Sequence, residues 1–584
     1  MVLRVDSAVA EPERAPLLEQ VQNSYGGTFD SDSISTSSPT GTIVPRGAEP
    51  AKSIAEEEAS LGDGETGAEE PGIGRSQVVK IIGVLLIGIF VGHADSSILL
   101  ATHGIIASEF NSLENSTWLI TSFTLAGAAT QTMYGKLSDI YGRKPLVISA
   151  YIIFIIGCFI VGIGQTMGQV ILGRVISGAG SAGMGALVSV LITDLLPIRE
   201  VAQWRAYINL VATLGRSVGG PLGGWLADAI GWRWSFLGQV PVVGLSIVLC
   251  TIYLPSHAES LKEPEDPTVT RKSKFNRIDF KGSFVFAIMV LALLLPIELG
   301  GSQLPWTHPI ILSLFALSAL LLVLFIKIEQ RAPEPILPLE IFHRRDAVLS
   351  FVILGLQTAA QLGLMFSVPI YFQITSKTST SAAGAHLIPA VFGNAVGGLA
   401  SGLLIKRSGR YKSLVLLAVV TSSLSYLLLM LRWHGNTNWL ESLYILPSGL
   451  GTGIAQSALF ISLQVVIDPA HMAPAISFMY LSTTVFITIG LPLSNAIMHA
   501  PLRWGLQNRL LALGMSGAEI RKIVARAISD LEYVGSTTGA VHKVIVASYV
   551  DGLWWSHGFS FLCSATALVL ALLLKEKRLD TVRV

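Results

Sequence analysis

Apolar runs of about twenty residues recur along most of this chain, separated by polar connections that are mostly short. A run of that length crosses the hydrocarbon core of a bilayer as a helix. The runs fall at about 78–103, 118–134, 146–164, 169–195, 206–227 and 236–254, then 282–299 and 309–326, then 347–372, 383–405, 413–431, 441–467, 473–499 and 545–574. The pattern predicts an all-α membrane protein of about fourteen transmembrane helices, built as two six-helix bundles with an inserted helix pair. Residues 1–77 are rich in Ser, Glu, Gly and Pro and have no apolar periodicity, so they are expected to form a disordered tail. The bundles are expected at 78–254 and 347–574. Residues 255–346 are expected to form a charged linker carrying the extra pair, and 575–584 a short tail.

Composition agrees with the pattern. Hydrophobic residues make up 51% of the chain and charged residues only 14%, with mean hydropathy +0.60. A soluble chain carries about a quarter charged residues. The formal net charge of +1 gives no case for nucleic acid as a partner. Cys158, Cys250 and Cys563 lie in apolar runs without motif spacing, so neither a disulfide framework nor a zinc site is expected. The first seventy or so residues lack the apolar stretch of a cleavable signal peptide.

Charge in the connections sets the expected topology. One set of connections holds Lys136, Arg143, Lys144, Arg199, Arg205, Arg271, Lys272, Lys274, Arg277, Arg344, Arg345, Lys406, Arg407, Arg410 and Lys412, and the C-terminal tail adds Lys575, Lys577 and Arg578. The other set is poor in Lys and Arg, although Arg233, Lys377 and Arg432 occur there. The positive-inside rule then places both termini in the cytoplasm. Asn115-Ser116-Thr117 falls on the far face as a glycan acceptor candidate, close to the next span. Residues 501–544 form one long far-side connection. Leu510, Leu511, Leu513, Ile520, Ile523, Val524, Ile528 and Leu531 recur in it at roughly helical spacing, which predicts an amphipathic helix lying on that face.

The tightest connection is Gly135-Lys-Leu-Ser-Asp139-Ile-Tyr-Gly142-Arg143-Lys144. Its glycines let the backbone turn. Asp139 is placed to cap the incoming helix, and Arg143 and Lys144 are expected in water at the membrane face. Its spacing returns at Gly402, Gly409 and Arg410, between the second and third spans of the second bundle, with Lys406 in the position of Asp139. Such repeated halves are a known transporter build.

These motifs resemble those of the major facilitator superfamily, and within it the fourteen-span drug:proton antiporter-like group, across about residues 80–575. Fungal vacuolar transporters of basic amino acids and multidrug exporters look most similar. The match rests on the Gly135–Lys144 turn, on Arg174-Val-Ile-Ser-Gly178-Ala-Gly180-Ser-Ala-Gly183, and on Gly215-Arg216-Ser-Val-Gly219-Gly220-Pro221-Leu-Gly223-Gly224. The last stretch resembles the antiporter motif with its proline displaced by one position. The resemblance implies alternating access, a gating role for Gly135, Asp139, Gly142, Arg143 and Lys144, and coupling to a proton gradient with no cofactor. Asp95 matches an acid common near the start of fourteen-span members.

Physical cost singles out the same charges. A charged side chain at the bilayer centre costs about 2.5–3.5 kcal/mol even on the lenient insertion scale. Asp95 and Arg216 lie well inside their spans, whereas Arg174 is nearer an end and able to snorkel. The simplest arrangement sets Asp95 opposite Arg174 or Arg216 in a polar cavity, either as a proton-exchanging carboxylate or as a static bridge. Gly215, Gly219 and Gly223, four apart, line one helix face for close packing. Gln357, Gln361, Asn394 and Gln456 are candidates to complete the cavity, or else bond between helices. Glu298 is expected at an interface, and His93 is a weak proton-shuttle candidate. Glu13, Leu17 and Leu18 form an acidic dileucine pattern that resembles an address read by endosomal and vacuolar sorting adaptors, or arises by chance. Three functions remain open: a proton-coupled vacuolar exchanger for basic amino acids, a plasma-membrane drug exporter, and a non-transporting sensor. An enzyme is not expected, since no metal cluster, nucleophile elbow or phosphate loop is present.

Overall fold

The computed structural model describes residues 75–112, 115–255, 274–275, 277–300, 304–529, 531–577 and 579. The chain divides into two units, residues 1–72 and residues 73–584. The first, with Glu13, Leu17 and Leu18, lies outside the described residues. Residues 256–273 and 276 of the expected linker lie outside them too.

The described residues of the second unit are mostly helical. Its first group is α1 (Arg75–Glu109), α2 (Ser116–Tyr141), α3 (Arg143–Ile163), α4 (Met167–Leu195), α5 (Ile198–Ala229) and α6, in which Trp232–Leu237 is continued by Gln239–Tyr253. The inserted pair is α7 (Phe280–Leu299) and α8 (Pro309–Glu329). The second group is α9 (Arg345–Thr375), α10 (Ile388–Ser408), α11 (Lys412–Arg432), α12 (Leu446–Val466), α13 (Met472–Ala512) and α14 (Gly539–Leu573). Among the described residues, twelve helices are long and apolar enough to cross a membrane. α2 and α5 are as long but more polar, and these two helices carry the motif glycines and several of the chemically interesting residues.

The glycine stripe on α5 packs as its spacing predicts. A Cβ on Gly215 would stand 2.6 Å from the Phe90 carbonyl, and one on Gly219 2.5 Å from that of Ala94. One on Gly223 would stand 2.9 Å from the Ile98 Cα. All three contacts are on α1, so backbone meets backbone. Gly220 instead faces the Ser97 hydroxyl, and Gly224 meets nothing within 4 Å. α5 runs on through Pro221 without a break in the helix.

The long far-side connection differs from its prediction. α13 continues for 41 residues and α14 begins at Gly539, so only 513–538 separates them. At 1.5 Å per residue α13 is about 60 Å long, twice the thickness of the hydrocarbon core. The amphipathic helix exists as Gly517–Ser529. Its apolar face, Ile520, Val524 and Ala527, is buried against Leu502, Leu506 and Leu510 of α13 and Ile545 and Tyr549 of α14. The helix therefore covers the protein's own projecting helices and does not spend that face on a membrane. Residues beyond 499 stay helical because α13 and α14 support each other there, with Arg509 Nη2 2.6 Å from Asp551.

The inserted pair packs by α7, which touches α2 and α13, while α8 leans mainly on α7. At their shared end Asp279 caps α7, its Oδ1 accepting from the Gly282 amide at 2.8 Å. Glu329 is buried and its Oε1 accepts from the Leu337 amide at 2.5 Å. The remaining oxygens, Asp279 Oδ2 and Glu329 Oε2, have no donor and converge on one point beside Gly282. Glu329→Gln should therefore leave the melting temperature in detergent unchanged or raise it. The amide retains an acceptor for Leu337 and gains a donor for Asp279. Glu329→Ala should lower it, by the equivalent of about 1–3 kcal/mol for a stranded buried amide. A Gln variant as unstable as the Ala variant would refute this reading.

Candidate functional site

The site is assembled by glycines on α4. A Cβ on Gly178 would meet the Phe123 carbonyl of α2 at 2.3 Å, and one on Gly180 would meet the Phe154 amide of α3 at 2.5 Å. α4 is thus pressed between α2 and α3, and Tyr134 and Gln131 of α2 donate to the Ala179 and Ala182 carbonyls. This packing carries Arg174 inward against α1. Arg174 Nη1 lies 2.7 Å from Asp95 Oδ2, with side-chain exposures of 1% and 0%. Arg174 Nε donates to the Leu119 carbonyl, its guanidinium stacks 4.2 Å from the Phe123 ring, and Gln239 of α6 donates to Asp95 Oδ1 at 3.3 Å. The snorkelling arrangement open to Arg174 is not adopted, because its partner is on the neighbouring helix.

Arg174 also lines a cavity of about 270 Å³, together with His93, Ser96, Phe123, Gln131 and Tyr480. No carboxylate lines it. Asp95 stands behind Arg174, closed off from the space. Arg216 is not opposite Asp95. It lies outside this volume on α5, within electrostatic reach of His93. Gln357 and Gln361 do not line the cavity either. They bond inside the second bundle, to Ser564 at 3.0 Å and Thr452 at 3.3 Å. Gln456 is half-buried on α12. Asn394 instead joins the two halves, accepting from Asn209 at 2.9 Å. Glu298 of α7 is hydrogen-bonded to Thr121 of α2. Asn115 precedes α2 and donates to Ser112 at 2.8 Å.

The Gly135–Lys144 turn is tighter than its sequence suggests. α2 continues to Tyr141 and α3 starts at Arg143, so Gly142 alone, at φ 98°, reverses the chain. Asp139 sits in the last turn of α2 and does not cap α3. It pairs with Arg143 Nη1 at 2.6 Å, while Arg143 Nε reaches Asp194 of α4 at 2.8 Å. Arg143 is a largely buried clasp, and the Lys144 ammonium caps the end of α6 at the Thr251 and Leu254 carbonyls. Neither cation stands free in water. Lys136 is held by Glu334, which also binds Arg277.

Both copies of the turn motif join the halves. A Cβ on Gly135 would be 2.7 Å from the Ala473 carbonyl of α13, and one on Gly402 would be 2.8 Å from the Ala202 carbonyl of α5. Lys406 ion-pairs with Glu200 at 3.0 Å, so the residue in the Asp139 position of the second copy also bridges the halves. Further links are Gln464 to Thr193, and Tyr480 to both Ser189 and Arg205. These contacts lie toward the ends of their helices that bear the Gly135–Lys144 turn. The molecule is fastened at that end. Sequence reading took Arg205 only as a connection charge and missed Glu200, Gln239 and Tyr480. Arg205 and Gln239 were visible as polar residues at the edges of apolar runs.

A membrane bundle of two related halves, fastened at one end and holding a buried ion pair beside a cavity, is the build of a transporter. The chain belongs to the Major Facilitator Superfamily, whose model matches residues 85–492. It is 28% identical to the vacuolar membrane amino acid uptake transporter fnx2 of Schizosaccharomyces pombe, over 97% of each chain. It is also 28% identical to the multidrug resistance protein fnx1 of that yeast, over 86% of this chain and 93% of the other. Identity to the vacuolar basic amino acid transporter 2 of Saccharomyces cerevisiae is again 28%, over 78% of this chain and 97% of that one. The protein is a multi-pass membrane transporter of small molecules and not an enzyme.

Proposed function

We propose that this transporter is a proton-coupled antiporter that moves basic amino acids from the cytosol into the vacuole by alternating access. The observation that carries the proposal is the buried Asp95–Arg174 pair at the cavity wall. Protonating Asp95 removes the charge that holds Arg174, and the freed guanidinium faces the cavity. A freed guanidinium repels the cationic side chain of a basic amino acid, so proton and substrate compete through one residue. An acidic lumen loads Asp95, the near-neutral cytosol unloads it, and substrate moves the other way. The gradient is the only cofactor required.

The vacuolar membrane as location, with both termini cytoplasmic, is supported by the two vacuolar relatives and by the positive-inside pattern. Coupling is tested with purified protein in liposomes of acidic interior and labelled lysine or arginine outside. Accumulation should follow the pH difference and collapse with a protonophore. Accumulation indifferent to the pH difference would exclude proton coupling.

Sorting is tested separately. Leu17→Ala with Leu18→Ala should move a tagged full-length protein from the vacuolar membrane to the cell surface, by way of lost adaptor binding. If the double variant and the parent share one location, the dileucine pattern is chance.

A further inference from the structure

Charge beside the cavity does not balance, and that imbalance names the substrate's recognised group. Asp95 is fully used by Arg174 and Gln239 and has no exposed surface. Glu200 is taken by Lys406 at the fastened end. Arg205 is held by two hydroxyls, those of Ser189 at 2.7 Å and Tyr480 at 2.5 Å, and by the Phe460 ring at 4.5 Å. None of these partners carries a negative charge. Arg216 has no carboxylate within ion-pair distance among the described residues. Its side chain is exposed, and a Cβ on the preceding Gly215 would stand 3.3 Å from that of His93, a residue of the cavity wall. The helix behind it is fixed, since the Arg216 carbonyl accepts from Ser97 of α1 at 2.7 Å. His93, on the cavity wall, lies within reach of both arginines. A guanidinium charge at membrane depth with no counter-charge, as at Arg216, is expensive.

We propose that the substrate supplies the missing charge: it is recognised through an anionic group, the α-carboxylate of an amino acid, held by Arg216. The proposal rests on the transporter reading above and adds the chemical class of the recognised group. A guanidinium presents a planar fork that a carboxylate matches with two hydrogen bonds. Arg205, eleven residues earlier on α5, adds positive potential from the fastened end. The cavity as built has no free acid for an ammonium group, so a cation without a carboxylate is a poor occupant.

The test compares acids with their amides on the full-length protein in nanodiscs at neutral pH. The pairs are lysine and lysinamide, leucine and leucinamide, and a simple monocarboxylate with its amide, with chloride as a competing ion. Each acid that binds should bind about tenfold tighter than its amide or more, given the worth of a charge-assisted hydrogen bond. Arg216→Gln should bring that ratio close to one, and Arg216→Lys should fall between. The ratio is insensitive to partial loss of folded protein, and the wild-type comparison needs no variant. Preference for leucine over leucinamide with no binding of lysine would sink the basic amino acid reading and still support this one. Equal binding of acid and amide would overturn the proposal. So would an acid preference that survives Arg216→Gln, binding by none of the acids, or occupancy by chloride only.

Discussion

Asp95→Asn should abolish pH-driven accumulation of substrate. The asparagine keeps the size of the side chain and an acceptor for Gln239, but it cannot release a proton. It also leaves Arg174 buried without a counter-charge. Removing one member of a buried ion pair costs about 3–5 kcal/mol, so a fall in abundance is expected as well. The single variant therefore does not separate coupling from stability. The double variant Asp95→Asn with Arg174→Gln does. Two amides facing each other leave no buried charge, and melting temperature should recover toward that of the parent. Gradient-driven accumulation should stay at background in liposomes with an imposed pH difference. If the double variant accumulates substrate normally, Asp95 and Arg174 are a static brace and the coupling proton rides elsewhere.

The pair itself was only half legible in the sequence. Cost alone marks Asp95, Arg174 and Arg216, because charges are rare at membrane depth. Which arginine meets Asp95 depends on how α4 is rotated and pressed between α2 and α3. That is settled by contacts at Gly178 and Gly180, which no periodicity reveals. Uncharged amides are less legible still. Gln357 and Gln361 look like cavity residues, yet bond inside the second bundle, since an amide is cheap to bury wherever a hydroxyl can meet it.

The turn shows a different limit. Asp139 reads as a helix cap because Gly135 suggests that the helix has ended. In the fold Gly135 is a packing position inside α2, and only Gly142 breaks the helix. Asp139 thereby becomes a partner for Arg143. The segment 501–544 fails for a related reason. An apolar stripe on a helix reports that something covers it, not whether the cover is lipid or the extensions of α13 and α14.

Gly135→Ala should slow transport by holding the molecule open at the fastened end. A methyl group at 135 would stand 2.7 Å from the Ala473 carbonyl and 2.7 Å from the Ser477 hydroxyl, closer than any Cβ tolerates. The obstacle at Ala473 is backbone, so α2 and α13 must part. Overpacking of this kind costs about 1–3 kcal/mol. The cost falls only on the conformation in which these helices touch, so it changes the ratio of conformations by roughly 5- to 150-fold and leaves each bundle folded. Gly402→Ala should act alike, since its Cβ would meet the Ala202 carbonyl at 2.8 Å. Gly224, with nothing within 4 Å, supplies the control: Gly224→Ala should transport normally. The readout is a cysteine at Thr193, which now bonds to Gln464 across the fastened end. The native cysteines are buried and compete little for a water-soluble maleimide. Labelling of Thr193→Cys should rise in the Gly135→Ala and Gly402→Ala backgrounds as turnover falls, and stay low with Gly224→Ala. Unchanged labelling together with unchanged turnover would show that these glycines only pack the halves, and that the fastening seen at Lys406, Glu200 and Arg205 opens without them.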